Sequence, residues 1–237
     1  MPLLDHFHAP LNLRRQWHSF HHAWAASIAV ELNRKLPAGY FADPNVAFGI
    51  EIDVATFEET PDASPEMHWN PLAPTMVAPM AMLTDVVEVN VFSSQEGPVL
   101  IGAFELISSA NKDQASARDA FVSKCASLLQ QGIGLVAVDV VTNRRADIFA
   151  ELMQRIAQRG VVPSDLWTAS YRPVSADGDT DLQIWHEPII VGGALPTLPF
   201  WLKGGLCLRF DFEASYMRTL CDQRIQDNGT IQNGATA

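Results

Sequence analysis

Cysteine is scarce in this chain: Cys125, Cys207 and Cys221 are the only three in 237 residues, and no CxxC spacing occurs. An odd, dispersed count supports neither a disulfide framework nor a zinc ribbon and predicts buried free thiols. Basic residues are also short, with 16 Lys and Arg against 27 Asp and Glu and a formal net charge of −11. That balance favours solubility and works against sequence-independent binding to a polyanion. A nucleic-acid partner would therefore need a local basic surface or bound cations. The pairs Arg14–Arg15, Arg34–Lys35 and Arg144–Arg145 read as solvated faces. The longest apolar run, AWAASIAV at 23–30, is too short to cross a bilayer, which argues against a membrane partner. The opening MPLLDHFHAP lacks the basic-then-apolar layout of a signal peptide, so a cytoplasmic protein is expected. Missing too are a Gly-rich phosphate loop, a GxSxG elbow and a Cys–His pair at family spacing, which excludes the familiar forms of those chemistries.

What is present is an apolar content of 48% with 18% charged residues, enough for one sizeable core. Phe20, Trp24, Ile28 and Leu32 recur at near-helical spacing and predict an amphipathic helix from about His18 to Lys35. VAFGIEIDVATF alternates strictly and predicts one strand, with Glu51 and Asp53 on its polar side. Five prolines within 58–81 predict a long loop or insertion. LTDVVEVNVF at 83–92 reads as a second strand, turned by SSQEGP into a third that begins at 99. A helix at 114–131, the buried strand IGLVAVDVV and a helix within RRADIFAELMQRIAQRG follow. Strands near 167–173, 181–190 and 205–210 and a helix at 212–225 complete the pattern. The order predicts a single α/β (α+β) domain over 1–225, a mixed central sheet flanked by helices with a C-terminal strand extension, and a disordered tail at 226–237. The WHEPIIVGGALPTLPFW stretch reads as a crossover or an interaction edge, whose exposed aromatics would point to homo-oligomer contacts.

One residue breaks the apolar logic. In PVLIGAFELISSANKD (98–113), Glu105 falls on the same side as Val99, Ile101, Ala103 and Ile107. A carboxylate in an apolar row is costly unless paired, protonated or bound to a metal. Partners are at hand. Asp53 lies mid-strand, Lys112 follows in the loop, and Lys124 shares the inward seam of its helix with Ala117, Phe121 and Leu128. Two acids and a lysine at a sheet edge suit metal-dependent phosphodiester hydrolysis, in which carboxylates hold a hard cation and an ammonium stabilises developing charge.

The path from IEIDVATF through FELISSANKD to AFVSKCASLLQQGIGLVAVDVVT resembles the PD-(D/E)XK superfamily, whose restriction-endonuclease-like members share an α-β-β-β-α-β core. It is most similar to a bacterial branch grouped with the endonucleases and marked by a Glu-apolar-apolar-Ser-Pro-Ser strand end. Over nearly the whole chain it also resembles a related domain-of-unknown-function family, through LLDHFHAPL, SANKD, VDVVTNRRA and SYRPV…LPTLPFWL. The resemblance implies Asp53 as first acid, Glu105 as second acid and Lys124, eight residues before Gly132, as a migrated catalytic lysine. Glu51 and Lys112 would be supporting groups, and Mg²⁺ or Mn²⁺ would be the cofactor on Asp53 and Glu105. Ser109 and Ala110 stand where the branch has Pro-Ser, Ile52 replaces the proline before the first acid, and Ile107 stands where E-x-K has its lysine. A contrasting expectation is a non-catalytic binding or scaffold protein in which Glu105 and Lys124 form a structural ion pair.

Five of the seven histidines fall in the first 22 residues. His18 and His22, four apart on a helix, have a spacing that can bind zinc, although position 19 is Ser and no HExxH glutamate is present. Histidines flanked by Trp17, Phe20 and Trp24 more often cap and pack a helix. His21 is singled out because it adjoins the aromatic face. Asp139 reads as an acceptor for the turn around Thr142 and Asn143, and Glu88 as an exposed strand residue.

Overall fold

The structure, a computed structural model, describes residues 2–48, 50–58, 69–80, 98–176 and 179–225, with the side chains of 45–51 outside that set. The first helix, α1 (Trp17–Asn33), buries Phe20, Trp24, Ile28 and Leu32, the stripe its spacing predicts. Two strands follow, β1 (Tyr40–Phe48) and β2 (Ile50–Glu58), then β3 (Met76–Pro79) and β4 (Val99–Leu106). A short helix α2 (Ser109–Asp113) and the longer α3 (Ala115–Gln130) lead into β5 (Gly134–Asp139). Beyond lie α4 (Ile148–Ala157), β6 (Trp167–Ala176), β7 (Asp179–Pro188), β8 (Thr197–Trp201), β9 (Cys207–Asp211) and α5 (Phe212–Asp222).

Seven strands form one mixed sheet in the order β1-β2-β4-β5-β6-β7-β3, and β8-β9 form a separate hairpin. This is an α/β fold. The β1–β2 and β2–β4 pairs are antiparallel, and β4–β5 is parallel. A parallel neighbour requires a crossover, which α2 and α3 supply. The central strands are buried on both faces: β5 along its whole length and β4 from Leu100 onward, apolar except for Asp139 and Glu105. One face of β4 sets Phe104 against Phe200 and Phe210 of the hairpin, with ring centroids 4.5 and 4.9 Å away. The opposite face carries Glu105 toward α3. The hairpin lies so close that a Cβ at Gly134 would come 1.7 Å from the Trp201 carbonyl oxygen, and one at Gly102 would meet Phe200 at 2.5 Å. Both glycines are space requirements of this packing.

Several expectations are corrected. VAFGIEIDVATF is not one strand: Phe48 pairs with Ile50 across an antiparallel turn of direction. Cross-strand partners share a face, as residues i and i+2 do, so the alternation runs through the reversal without a break. The Pro-rich 58–81 segment contributes β3, an edge strand paired with β7, where Pro79 is tolerated because edge positions need no full ladder. The strand expected at 83–92, with Glu88, lies outside the described residues, as do the 226–237 tail and the Glu51 side chain. The described neighbours of β4 are β2 and β5. The helix expected from Arg144 up to Gly160 starts only at Ile148, where Asp147 accepts the Ala150 N–H at 2.9 Å, and it ends with Gln158 at φ 49°. The 185–201 stretch holds β8, and its Trp185, Phe200 and Trp201 are buried rather than exposed. No helix among the described residues is long and apolar enough to cross a membrane.

Candidate functional site

Register brings the two acids together. Val54 pairs with Phe104 and Ala55 with Ala103, so one further step along the ladder sets Asp53 opposite Glu105. Antiparallel partners project to one face. From above that face, α3 lowers Lys124, whose Nζ donates to Glu105 Oε2 at 2.6 Å. The same Nζ lies over the Phe121 ring, 4.9 Å from its centroid. All three side chains line one cleft of about 470 Å³, which α1 closes with His18, His21 and His22.

His21 reaches furthest in. Its Nε2 lies 2.9 Å from the Leu106 carbonyl oxygen and 3.4 Å from Asp53 Oδ2. The same Asp53 oxygen accepts the Leu106 N–H at 2.6 Å, which ties the start of β2 to the end of β4. Just after, Ser108 caps α2: its N–H and hydroxyl both donate to Asn111 Oδ1 at 2.8 Å. The polar burst after β4 is thus a helix start, and its Ser108, Ser109 and Asn111 form part of the cleft wall.

Burial pushes the Glu105 carboxyl up to about 7; Lys124 pulls it down, and the Asp53 charge raises it further. Its other oxygen, Oε1, is buried with no hydrogen-bond partner. Burial alone would lower Lys124, but the adjoining Glu105 carboxylate outweighs it and holds the ammonium above its ordinary value. His21 shows the same balance, lowered by burial but raised overall by Asp53 and the Leu106 carbonyl. A desolvated acid with an orphaned buried oxygen, beside a second acid, the Lys124 ammonium and His21, is a focus of unsatisfied charge.

Lys112 is elsewhere. Its buried Nζ donates to Asp139 Oδ2 at 2.8 Å, so it anchors α2 to the end of β5 and makes no contact with Glu105. Asp139, expected to serve the Thr142–Asn143 turn, instead accepts from Lys112 and from the Val141 N–H at 3.0 Å, and burial pushes it up to about 6. Thr142 donates to Asp5. The pairing of His21 with Asp53 is the feature the sequence reading missed. Its signal was available: His21 lies four residues after Trp17 and three before Trp24, a polar side chain on the inward stripe.

No protein-family model matches the chain, and neither a curated protein nor a solved structure matches it. Chemistry alone must judge the donor set. Among the described residues no group of three or more His, Cys, Asp or Glu is disposed to hold a metal ion. That argues against a closed protein cage of the structural-zinc kind. It does not argue against Mg²⁺ or Mn²⁺, because Mg²⁺ is usually held by one or two carboxylates and keeps several waters. Two adjacent carboxylates, one with an unpartnered buried oxygen, fit such an ion.

Proposed function

We propose that this chain is a divalent-metal-dependent phosphodiester hydrolase with a PD-(D/E)XK-like core. The element order α1, β1, β2, β4, α3, β5 supports that core once β3, which joins the far edge of the sheet, and the short α2 are set aside, with two antiparallel pairings and then a parallel one. The observation that carries the reading is Glu105: fully buried, pushed up to about 7, with Oε1 unpartnered in a cleft that Asp53 and Lys124 also line.

Asp53 and Glu105 would hold Mg²⁺ or Mn²⁺, which when bound supplies charge neutralisation and polarisation of a phosphoryl oxygen. The chain's own groups do the rest. Lys124 places an ammonium where negative charge develops on the phosphate, and the low-dielectric floor strengthens that interaction. His21 holds the Leu106 carbonyl and Asp53 in fixed relation, so the acids are oriented before substrate arrives. Phe121 sets an aromatic face beside the ammonium, 4.9 Å from Nζ to the ring centroid.

A second reading is favoured by one specific distance. Lys124 and Glu105 already form a 2.6 Å ion pair, which a non-catalytic scaffold or binding protein would keep for structure alone. Mn²⁺-dependent cleavage of single-stranded DNA, double-stranded DNA and bis(p-nitrophenyl) phosphate separates the two. The hydrolase reading expects cleavage of at least one substrate, reduced about 100-fold or more by Lys124→Met and abolished by Asp53→Asn. No cleavage of any of the three by the wild type, in Mn²⁺ or Mg²⁺, leaves the structural pair as the explanation.

A further inference from the structure

At the cleft rim on α1, one turn apart, His18 and His22 bring their Nε2 atoms to 3.2 Å. The rings stand at 85° with centroids 4.3 Å apart, a T-shaped contact. A neutral imidazole offers one N–H and one lone pair, and two such nitrogens can share either a proton or a cation. At 3.2 Å the pair is within hydrogen-bond reach, and the same separation suits a shared cation. With Zn–N bonds of about 2.0–2.1 Å, two nitrogens 3.2 Å apart subtend about 100° at a common ion, close to the tetrahedral angle. The helix therefore sets both donors at bridging separation with no backbone movement.

We propose that His18 and His22 form a site for a borderline divalent transition ion of the Zn²⁺ class, separate from the carboxylate pair. Imidazole nitrogen selects Zn²⁺, Ni²⁺ or Co²⁺, whereas an all-carboxylate pair suits Mg²⁺ or Mn²⁺, so the two ligand sets sort ions by softness. His21, between them in sequence, is not a ligand, because its Nε2 is turned inward to Leu106 and Asp53. Ser19 stands where a zinc-protease helix carries its glutamate, so this pair brings no general base of its own. With two protein ligands and no third donor in the group among the described residues, the ion keeps open positions for water or an anion. The pair lines the same cleft as Asp53 and Glu105, so an anion bound there would sit at the cleft mouth. The inference stands on the histidine geometry and is independent of phosphodiester hydrolysis.

Equilibrium dialysis of the untagged full chain against Zn²⁺, with the visible absorption of Co²⁺ as a second readout, tests it. The wild type should retain one ion per chain. His18→Gln and His22→Gln should each weaken retention about tenfold or more, on the scale of lost ligand chemistry, while unfolding midpoints stay unchanged. His8→Gln and Asp53→Asn should retain the ion. No retained Zn²⁺, retention indifferent to both His18→Gln and His22→Gln, or retention lost in Asp53→Asn would each overturn the site.

Discussion

Lys124→Met removes the ammonium that pairs with Glu105 and lies over the Phe121 ring, and keeps most of the apolar stem. Loss of one partner from a buried ion pair commonly costs about 3–5 kcal/mol. The state of Glu105 predicts a different, pH-dependent outcome. In the wild type it sits at about 7, so at neutral pH the folded protein holds its protonated and ionised forms about equally. The ionised pair then adds only RT ln 2, about 0.4 kcal/mol, over a neutral carboxyl. Two pH units higher the ionised form is favoured by about 2.7 kcal/mol, and Lys124, held above its ordinary value, stays charged to meet it. In the variant the burial and the Asp53 charge remain while the attraction that lowered Glu105 is gone, so the carboxyl stays protonated over this range.

The signs follow from proton counts. Glu105 is raised in the folded state, so wild-type stability from this group declines from about pH 4.5 to about 7 and then levels. The folded variant keeps one proton that its unfolded chain has released, so its stability goes on falling by about 1.4 kcal/mol per pH unit. Urea unfolding of both proteins without metal should show a difference of a few tenths of a kcal/mol near pH 6–7, growing to about 2–3 kcal/mol at pH 9. A penalty of about 3–5 kcal/mol already present at pH 6, or a penalty that does not grow with pH, refutes this reasoning.

Asp53→Asn should cut the rise in melting temperature that Mn²⁺ gives the wild type, since the ion binds only the folded state; an undiminished shift in differential scanning fluorimetry would contradict this. Gly134→Ala drives a methyl into the Trp201 carbonyl and should destabilise by about 1–3 kcal/mol or prevent folding, read by urea midpoint; a neutral change would show that the hairpin does not sit on β5. Lys112→Met strands Asp139 in full burial. Because Asp139 is raised only to about 6, the penalty should be small at pH 5 and grow by about 1.4 kcal/mol per unit above its pKa, and a pH-independent loss would refute that assignment.

Sequence pattern reached much of this architecture for identifiable reasons. The α1 stripe, the apolar β5 run and the α3 seam each reflect a single periodicity against one core, which a linear pattern preserves. Glu105 and Lys124 were legible because a charge on an apolar seam has few physical explanations. The Phe48–Ile50 reversal was hidden, since pairing and strand period place the same residues on one face. Lys112 looked like a partner for Glu105 by proximity in sequence, yet five-residue α2 swings it to the end of β5. His21 was visible only as a polar residue on an aromatic face; its bond to the Leu106 carbonyl spans 85 residues and depends on tertiary packing.

The claim at the centre is that Glu105 is buried to hold a metal with Asp53. A crystal structure of the wild type soaked in Mn²⁺, with anomalous scattering recorded at the manganese edge, tests it directly. A single anomalous peak bonded to a carboxylate oxygen of each residue, at about 2.0–2.2 Å, is the expected result, with the Lys124 ammonium nearby. An intact Lys124–Glu105 pair with no peak at the two carboxylates, in crystals where Mn²⁺ is present in excess, would contradict it.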